Sequence, residues 1–191
     1  MAHDWLLLTP AERLHLPPRL RGWIALDTSM TARIGQVAQA PVTVQVLRQQ
    51  RARLHPDEAR FFPDALARPV VREVCLSCAG KPLLIARSVF TDRRLQDHPV
   101  ILTLGDRPLG SLLFADGPPP VTAREYARLG PGAPLFALVR RRHRGLRPDY
   151  WARRTLYGLF GAPVLVTEIF LPALLARDPA PLSPEQDVKA G

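Results

Sequence analysis

Apolar and polar residues alternate with period two in several stretches of this chain, the spacing that turns one face of a strand to a core and the other outward. Residues 42–48 (VTVQVLR) show the pattern first. Two pairs of stretches follow, each broken by a turn containing glycine: 70–78 and 82–90 around Ala79-Gly80-Lys81, then 151–160 and 164–171 around Gly161-Ala162. Each pair predicts an antiparallel hairpin. Helix signals are shorter. Thr9, Pro10 and Glu12 make a capping box with proline at the first helical position. Asp27-Thr28-Ser29 opens a helix running through Met30 and Arg33, 55–62 reads as a brief helix or turn closed by Pro63, and 108–114 (PLGSLLF) reads as one or two helical turns. Thr122 with Glu125 repeats the capping-box spacing and predicts a helix through Leu129. The 21 prolines fit many rigid turns between short elements. No repeat and no internal boundary divides the chain. The expectation is an α+β fold: a single antiparallel β-sheet with flanking helices, one domain over residues 1–172, and a proline-rich, disordered tail over 173–191.

Composition adds limits. With 191 residues and a hydrophobic fraction of 47%, the chain can bury the core of one domain. Cys75 and Cys78 stand three apart in a predicted strand and so face opposite sides, which disfavours a disulfide. A zinc site would need a second Cys or His pair that the chain lacks, so both cysteines are expected to be buried as small hydrophobes. Trp5-Leu6-Leu7-Leu8 is too short for a signal-peptide core, and no stretch approaches a membrane span, so a cytoplasmic location is expected. The net charge of +9 comes from 26 basic and 17 acidic residues. Its densest run, Arg140-Arg141-Arg142-His143-Arg144 followed by Arg147, reads as a solvated loop face. Nucleic-acid binding would call for a docking element, and no helix-turn-helix, RNP or zinc-finger pattern accompanies the run. The five histidines lie outside any triad spacing, and Gly105 and Gly110 lack the context of a phosphate loop.

Two charges interrupt the apolar faces. Arg72 shares a strand face with Val70, Val74, Leu76 and Cys78, and Glu168 shares one with Val164, Val166 and Phe170. A lone charge there is costly unless something pairs with it. Either the two pair with each other inside the core, or both line a cavity and meet a ligand. Arginine suits a carboxylate because its planar fork engages both oxygens, and a half-buried glutamate is suited to sharing a proton. Arg153 and Arg154 are adjacent and must face opposite sides. A surface position for both is the simpler reading, and Arg153 joins a pocket only if Trp151 and Thr155 point inward. Arg87, between Ala86 and Ser88, is ambiguous in the same way.

Six blocks carry a family resemblance. Residues 26–31 (LDTSMT), 71–74 (VREV) with 78–82 (CAGKP), 87–89 (RSV), 108–110 (PLG) with Leu113-Phe114, 151–154 (WARR) and 166–172 (VTEIFLP) stand in order across roughly 23–172. In this the chain resembles bacterial chorismate pyruvate-lyases, also known as 4-hydroxybenzoate synthases, with 166–172 the most specific block. The stretch 130–148, arginine run included, looks longer than in shorter family members.

The resemblance implies an internal, closed ligand cavity beside the sheet and no metal or organic cofactor; a monomer is expected. It implies that Arg72 holds the ring carboxylate, that Glu168 sits near the hydroxyl end, and that Met30 and Leu109 contribute backbone contacts from flaps that close over the product. Arg153 or Arg87 are further candidates, for the side-chain carboxylate of chorismate. The implied reaction releases pyruvate and leaves 4-hydroxybenzoate, the first committed step of ubiquinone biosynthesis. The alternative from another class is a non-catalytic, effector-sensing domain of the same fold that binds a small aromatic acid. Such modules usually follow a DNA-binding helix-turn-helix, and none precedes Trp23.

Overall fold

The computed structural model describes residues 4–63, 69–90, 99–142, 145 and 147–177. Seven strands form one antiparallel sheet: β1 Leu6–Leu7, β2 Val42–Arg51, β3 Val70–Cys78, β4 Lys81–Phe90, β5 Val121–Leu129, β6 Tyr150–Leu159 and β7 Ala162–Phe170, in the order β1-β5-β6-β7-β4-β3-β2. Both expected hairpins are present as β3–β4 and β6–β7, and the two lie side by side through antiparallel β4–β7 pairing. Their turns are two residues long, Ala79-Gly80 and Phe160-Gly161, with all four φ values positive, between 48° and 72°. That geometry matches the twist of the flanking strands and explains glycine at each second position.

Six helices among the described residues flank the sheet: α1 Pro10–His15, α2 Pro18–Ile24, α3 Met30–Ala38, α4 Leu109–Leu113, α5 Pro134–Arg140 and α6 Pro172–Leu175. The Thr9 side chain accepts from the Glu12 N–H, as the capping box requires, and Ser29 caps α3 in the same manner. The 59–61 turn is a short 3₁₀ segment.

One expected helix is a strand. Residues 121–129 form β5, paired with β6 along its length and with β1 at two positions. The Thr122–Glu125 spacing is a local signal, and it loses to a strand slot whose occupation buries Glu125, Tyr126, Ala127 and Leu129. Chain order also continues past Pro172: α6 sets Leu174, fully buried, against the core. Residues 178–191 of the expected tail lie outside the described residues, as do His143 and Arg144 of the arginine run, while Arg140, Arg141 and Arg142 are exposed.

Each face of the sheet has its own core. On the front, Val44, Val74, Leu76, Leu84 and Phe170 pack against Leu20, Trp23 and Ile24 of α2 and Met30 and Ile34 of α3. On the back, Cys75, Ile85, Ala152 and Ile169 meet Leu135, Phe136 and Val139 of α5. Cys78 belongs to the front cluster and Cys75 to the back, both buried and both free thiols. Strand pairing then sets residues in rows across the sheet. One front row reads Val74, Ala86, Glu168, Arg153; the next Arg72, Ser88, Val166, Thr155; a third Val70, Phe90, Val164, Tyr157.

A buried polar row crosses the back: Glu73, Arg87, Thr167, Arg154 and Glu125. The 52–62 segment covers it. Arg87 donates to both oxygens of Glu58, at 2.7 and 3.0 Å, and to Glu73 at 2.7 Å. Arg154 donates to Glu125 at 2.6 Å and Asp57 at 2.8 Å, with its guanidinium over the rings of Trp5 and Phe61. Every charge in this row is answered by one of opposite sign, the condition under which buried ion pairs are tolerated.

Candidate active site

A cavity of about 60 Å³ lies on the front face, with Arg72, Ser88, Glu168 and Arg153 from the sheet on its floor. Two short segments close it, Thr28, Met30 and Thr31 at the start of α3 and 108–110 leading into α4. The segments touch. A methyl group added at Gly110 would stand 2.7 Å from the Ser29 hydroxyl, so glycine is what lets them meet. A wider cleft of about 430 Å³ lies nearby, and Thr28 and Phe114 line both spaces.

Arg72 and Glu168 do not pair with each other. Arg72 donates to the Gln49 side chain at 2.6 Å and to the carbonyls of Gly105 and Arg107 at 2.8 and 3.2 Å. All three acceptors are neutral. Four arginines are buried among the described residues; Arg87, Arg153 and Arg154 each have a carboxylate within ion-pair distance, and Arg72 has none. Burial lowers the pKa of Arg72, and Asp106 offsets this only in part. A desolvated cation held by neutral groups is prepared for an anion that the chain itself does not supply.

Glu168 is held differently. One oxygen accepts from Arg153 Nε at 2.5 Å; the other makes no hydrogen bond among the described residues. Arg153 Nη1 in turn donates to the carbonyls of Trp23, Ile24 and Leu26, at 3.1, 3.3 and 2.8 Å. The surface reading of Arg153 and Arg154 is therefore corrected: both are 2% exposed or less, on opposite faces, because each meets a carboxylate from a neighbouring strand. Nearby acids raise the pKa of Arg153 against the effect of burial, which keeps it charged.

Of the residues singled out from the sequence, Met30, Arg72, Leu109, Arg153 and Glu168 line this one cavity. Arg87 does not. Its side chain points to the back of the sheet and is consumed by Glu58 and Glu73, so it is unavailable to a ligand at the front. Two polar lining residues on the sheet, Ser88 and Tyr157, escaped notice. Ser88 pairs directly with Arg72, and Tyr157 lies two and four residues beyond Thr155 and Arg153 on the same face, so counting by twos would have found both. Among the described residues, no group of three or more His, Cys, Asp or Glu side chains is placed to hold a metal ion.

From strand spacing and rise, the Cα atoms of Arg72 and Glu168 are separated by about 12 Å, two strands across and one row along. Both side chains line the same cavity, Arg72 from one end of this span and Glu168 from the other. Fold and cavity together define a class: α+β domains that enclose a small-molecule pocket between one face of an antiparallel sheet and short helical lids.

Comparison with known proteins narrows the class. Residues 3–179 match the family model described as Chorismate lyase, and the chain belongs to that family. It is 39% identical to a probable chorismate pyruvate-lyase of Azoarcus sp. (strain BH72), over 94% of this chain and 96% of that one. A probable chorismate pyruvate-lyase of Dechloromonas aromatica (strain RCB) is also 39% identical, over 82% and 89%. Among solved structures, the effector domain of PhnF from Mycobacterium smegmatis superposes with a TM-score of 0.55 at 12% identity, over 78% of this chain and 91% of that one. The ligand-binding domain of a putative GntR-family regulator from Bordetella bronchiseptica gives 0.50 at 16%, over 70% and 84%. At such identities the structural likeness speaks to fold alone.

Proposed function

We propose that the protein is a lyase that converts chorismate to 4-hydroxybenzoate and pyruvate. The observation that carries this reading is the contrast between Arg72, a buried cation with no carboxylate of its own among the described residues, and Glu168, a carboxylate with one oxygen left over, at opposite ends of a lidded cavity. In chorismate the ring carboxylate and the hydroxyl lie para to each other. Arg72 receives the carboxylate, and the open oxygen of Glu168 receives the hydroxyl. Met30 and Leu109 supply backbone contacts from the lids.

The reaction loses the ring proton at the hydroxyl-bearing carbon together with the neighbouring ether side chain, and the ring becomes aromatic. The C–H electron pair enters the ring, the C–O pair leaves with the three-carbon fragment, and one proton ends on that fragment as pyruvate. Aromatisation drives the step, so the site has mainly to orient the substrate and stabilise charge. Glu168, pinned by Arg153, orients the hydroxyl and is placed to take part in proton transfer. The chemistry asks for no resident cofactor. We place the reaction in the cytoplasm, carried out by a monomer without nucleic-acid or membrane partners, with 4-hydroxybenzoate supplying the ubiquinone ring.

The test is purified protein with chorismate, without added metal, followed by chromatography. Equal amounts of 4-hydroxybenzoate and pyruvate are expected. Arg72→Ala should weaken chorismate binding about a hundredfold or more, the scale for stripping one member from a desolvated charge pair. Near-normal turnover in that variant would refute the anchoring role. Tight 4-hydroxybenzoate binding with no pyruvate from the wild type would instead assign the protein to effector sensors.

A further inference from the structure

Tyr157 lies in the third front row and lines the cavity with its side chain 4% exposed. Its ring is fixed by an edge contact with Phe114, centroids 6.3 Å apart at 76°. Its hydroxyl makes no hydrogen bond among the described residues, which leaves it free to donate to a group inside the cavity. The sheet rows set Tyr157 to one side of the line from Arg72 to Glu168, and it lines the same cavity as both.

Other polar groups are spoken for or elsewhere. Arg153 commits Nε and Nη1 to Glu168 and three carbonyls, and Ser88 sits beside Arg72, at the carboxylate end. The ether side chain of chorismate is next to the hydroxyl, not next to the ring carboxylate. With the substrate strung between Arg72 and Glu168, that side chain needs a donor flanking the hydroxyl end.

We propose that the Tyr157 hydroxyl is a further catalytic group: it donates a hydrogen bond to the ether oxygen of chorismate as the C–O bond breaks. The role rests on the lyase reading. As the bond opens, its electron pair collects on that oxygen, and the enolpyruvate fragment leaves carrying the charge. Tyr157 keeps its proton and stabilises the developing charge, in the manner of an oxyanion donor. The ring proton finishes on the departing fragment, so atoms balance without a co-reactant. The product has lost the ether, and Tyr157 therefore contributes nothing to holding it.

The test is Tyr157→Phe, which retains the ring and its contact with Phe114. Loss of one neutral hydrogen bond in the transition state predicts kcat reduced about tenfold. The KM for chorismate and the dissociation constant of 4-hydroxybenzoate are expected within about twofold of wild type, which also reports on folding. Unchanged kcat would overturn the role. So would weaker binding of both substrate and product, because that marks Tyr157 as packing for the pocket. Tyr157→Leu, which removes both ring and hydroxyl, gives the second check: its kcat should be no higher than that of Tyr157→Phe, and recovery toward wild type would overturn the proposal. A wild-type protein that makes no pyruvate would sink the lyase reading itself, whereas an active wild type with a fully active Tyr157→Phe would sink only this inference.

Discussion

Arg153 does two things with one guanidinium: it pins Glu168 and gathers the carbonyls of Trp23, Ile24 and Leu26, just ahead of the first lid. Lysine can satisfy the carboxylate or the carbonyls but not both, since it offers a point charge instead of a planar fork. Arg153→Lys is therefore expected to lower kcat about tenfold through misplacement of Glu168, with the chorismate KM within about threefold. Steady-state kinetics of the folded variant check it. The opposite outcome, normal kcat with raised KM, would mean that Arg153 binds substrate directly. At this scale the sequence was partly legible. A charge on an apolar face marks itself, as Arg72 and Glu168 did, but its counter-charge does not. Glu58 lies 29 residues from Arg87, and Glu125 lies 29 from Arg154, brought close only by the covering segment or by strand pairing.

The two lids are short elements with little of their own to hold them. The Ser29 hydroxyl both caps α3 and faces Gly110, so a side chain at Gly110 pushes on the cap. Gly110→Ala should weaken 4-hydroxybenzoate binding by about fivefold, the worth of roughly one helix cap at ~1 kcal/mol. Its dissociation rate should rise accordingly, and stopped-flow displacement of bound product would measure it. If product release limits turnover, kcat rises in the same variant. Unaltered release would mean that Ser29 moves aside at no cost. Elements were legible where pairing partners are close in sequence: both hairpins followed from alternation and a glycine turn. β5 was not, since its partner β6 begins 21 residues after it ends and nothing local announces the pairing. The helices α2 and α5 open with Pro18 and Pro134 but lack a side-chain cap at Pro17 and Ala133, so their starts carried only half of the signal that marks α1.

Across the whole molecule, the front of the sheet holds the cavity and the back holds a sealed ionic layer under the 52–62 segment. His55 sits at the edge of that layer, its backbone N–H donating to Glu58 at 2.8 Å. Burial lowers its pKa from 6.5, outweighing the carboxylate of Glu58, while Arg87 adds to the lowering and Asp57 and Glu73 oppose it. A histidine kept neutral on folding contributes stability above its unfolded pKa, and that contribution is lost as pH falls through the lowered folded value. The melting temperature should accordingly drop as pH goes from about 7 downward past 6.5, and His55→Gln should flatten that part of the curve. Parallel curves for wild type and variant would show that His55 does not couple to folding. A change confined to the back of the sheet would reach the cavity only through the strands that the two faces share.

Those shared strands give the adjacent arginines of β6 one more consequence. If β6 slid one residue against its neighbours, Arg154 would come round to meet Glu168, but Arg153 would land in the place of Ala152, among Ile169 and Ala127. Slid the other way, alanine would face Glu168, and Arg154 would land beside Val166. Each misalignment maroons a charge in hydrocarbon, and only the native alignment satisfies both guanidiniums at once. The doublet thus works as a two-pin key for the assembling sheet, rejecting wrong alignments even where it adds little to the stability of the right one.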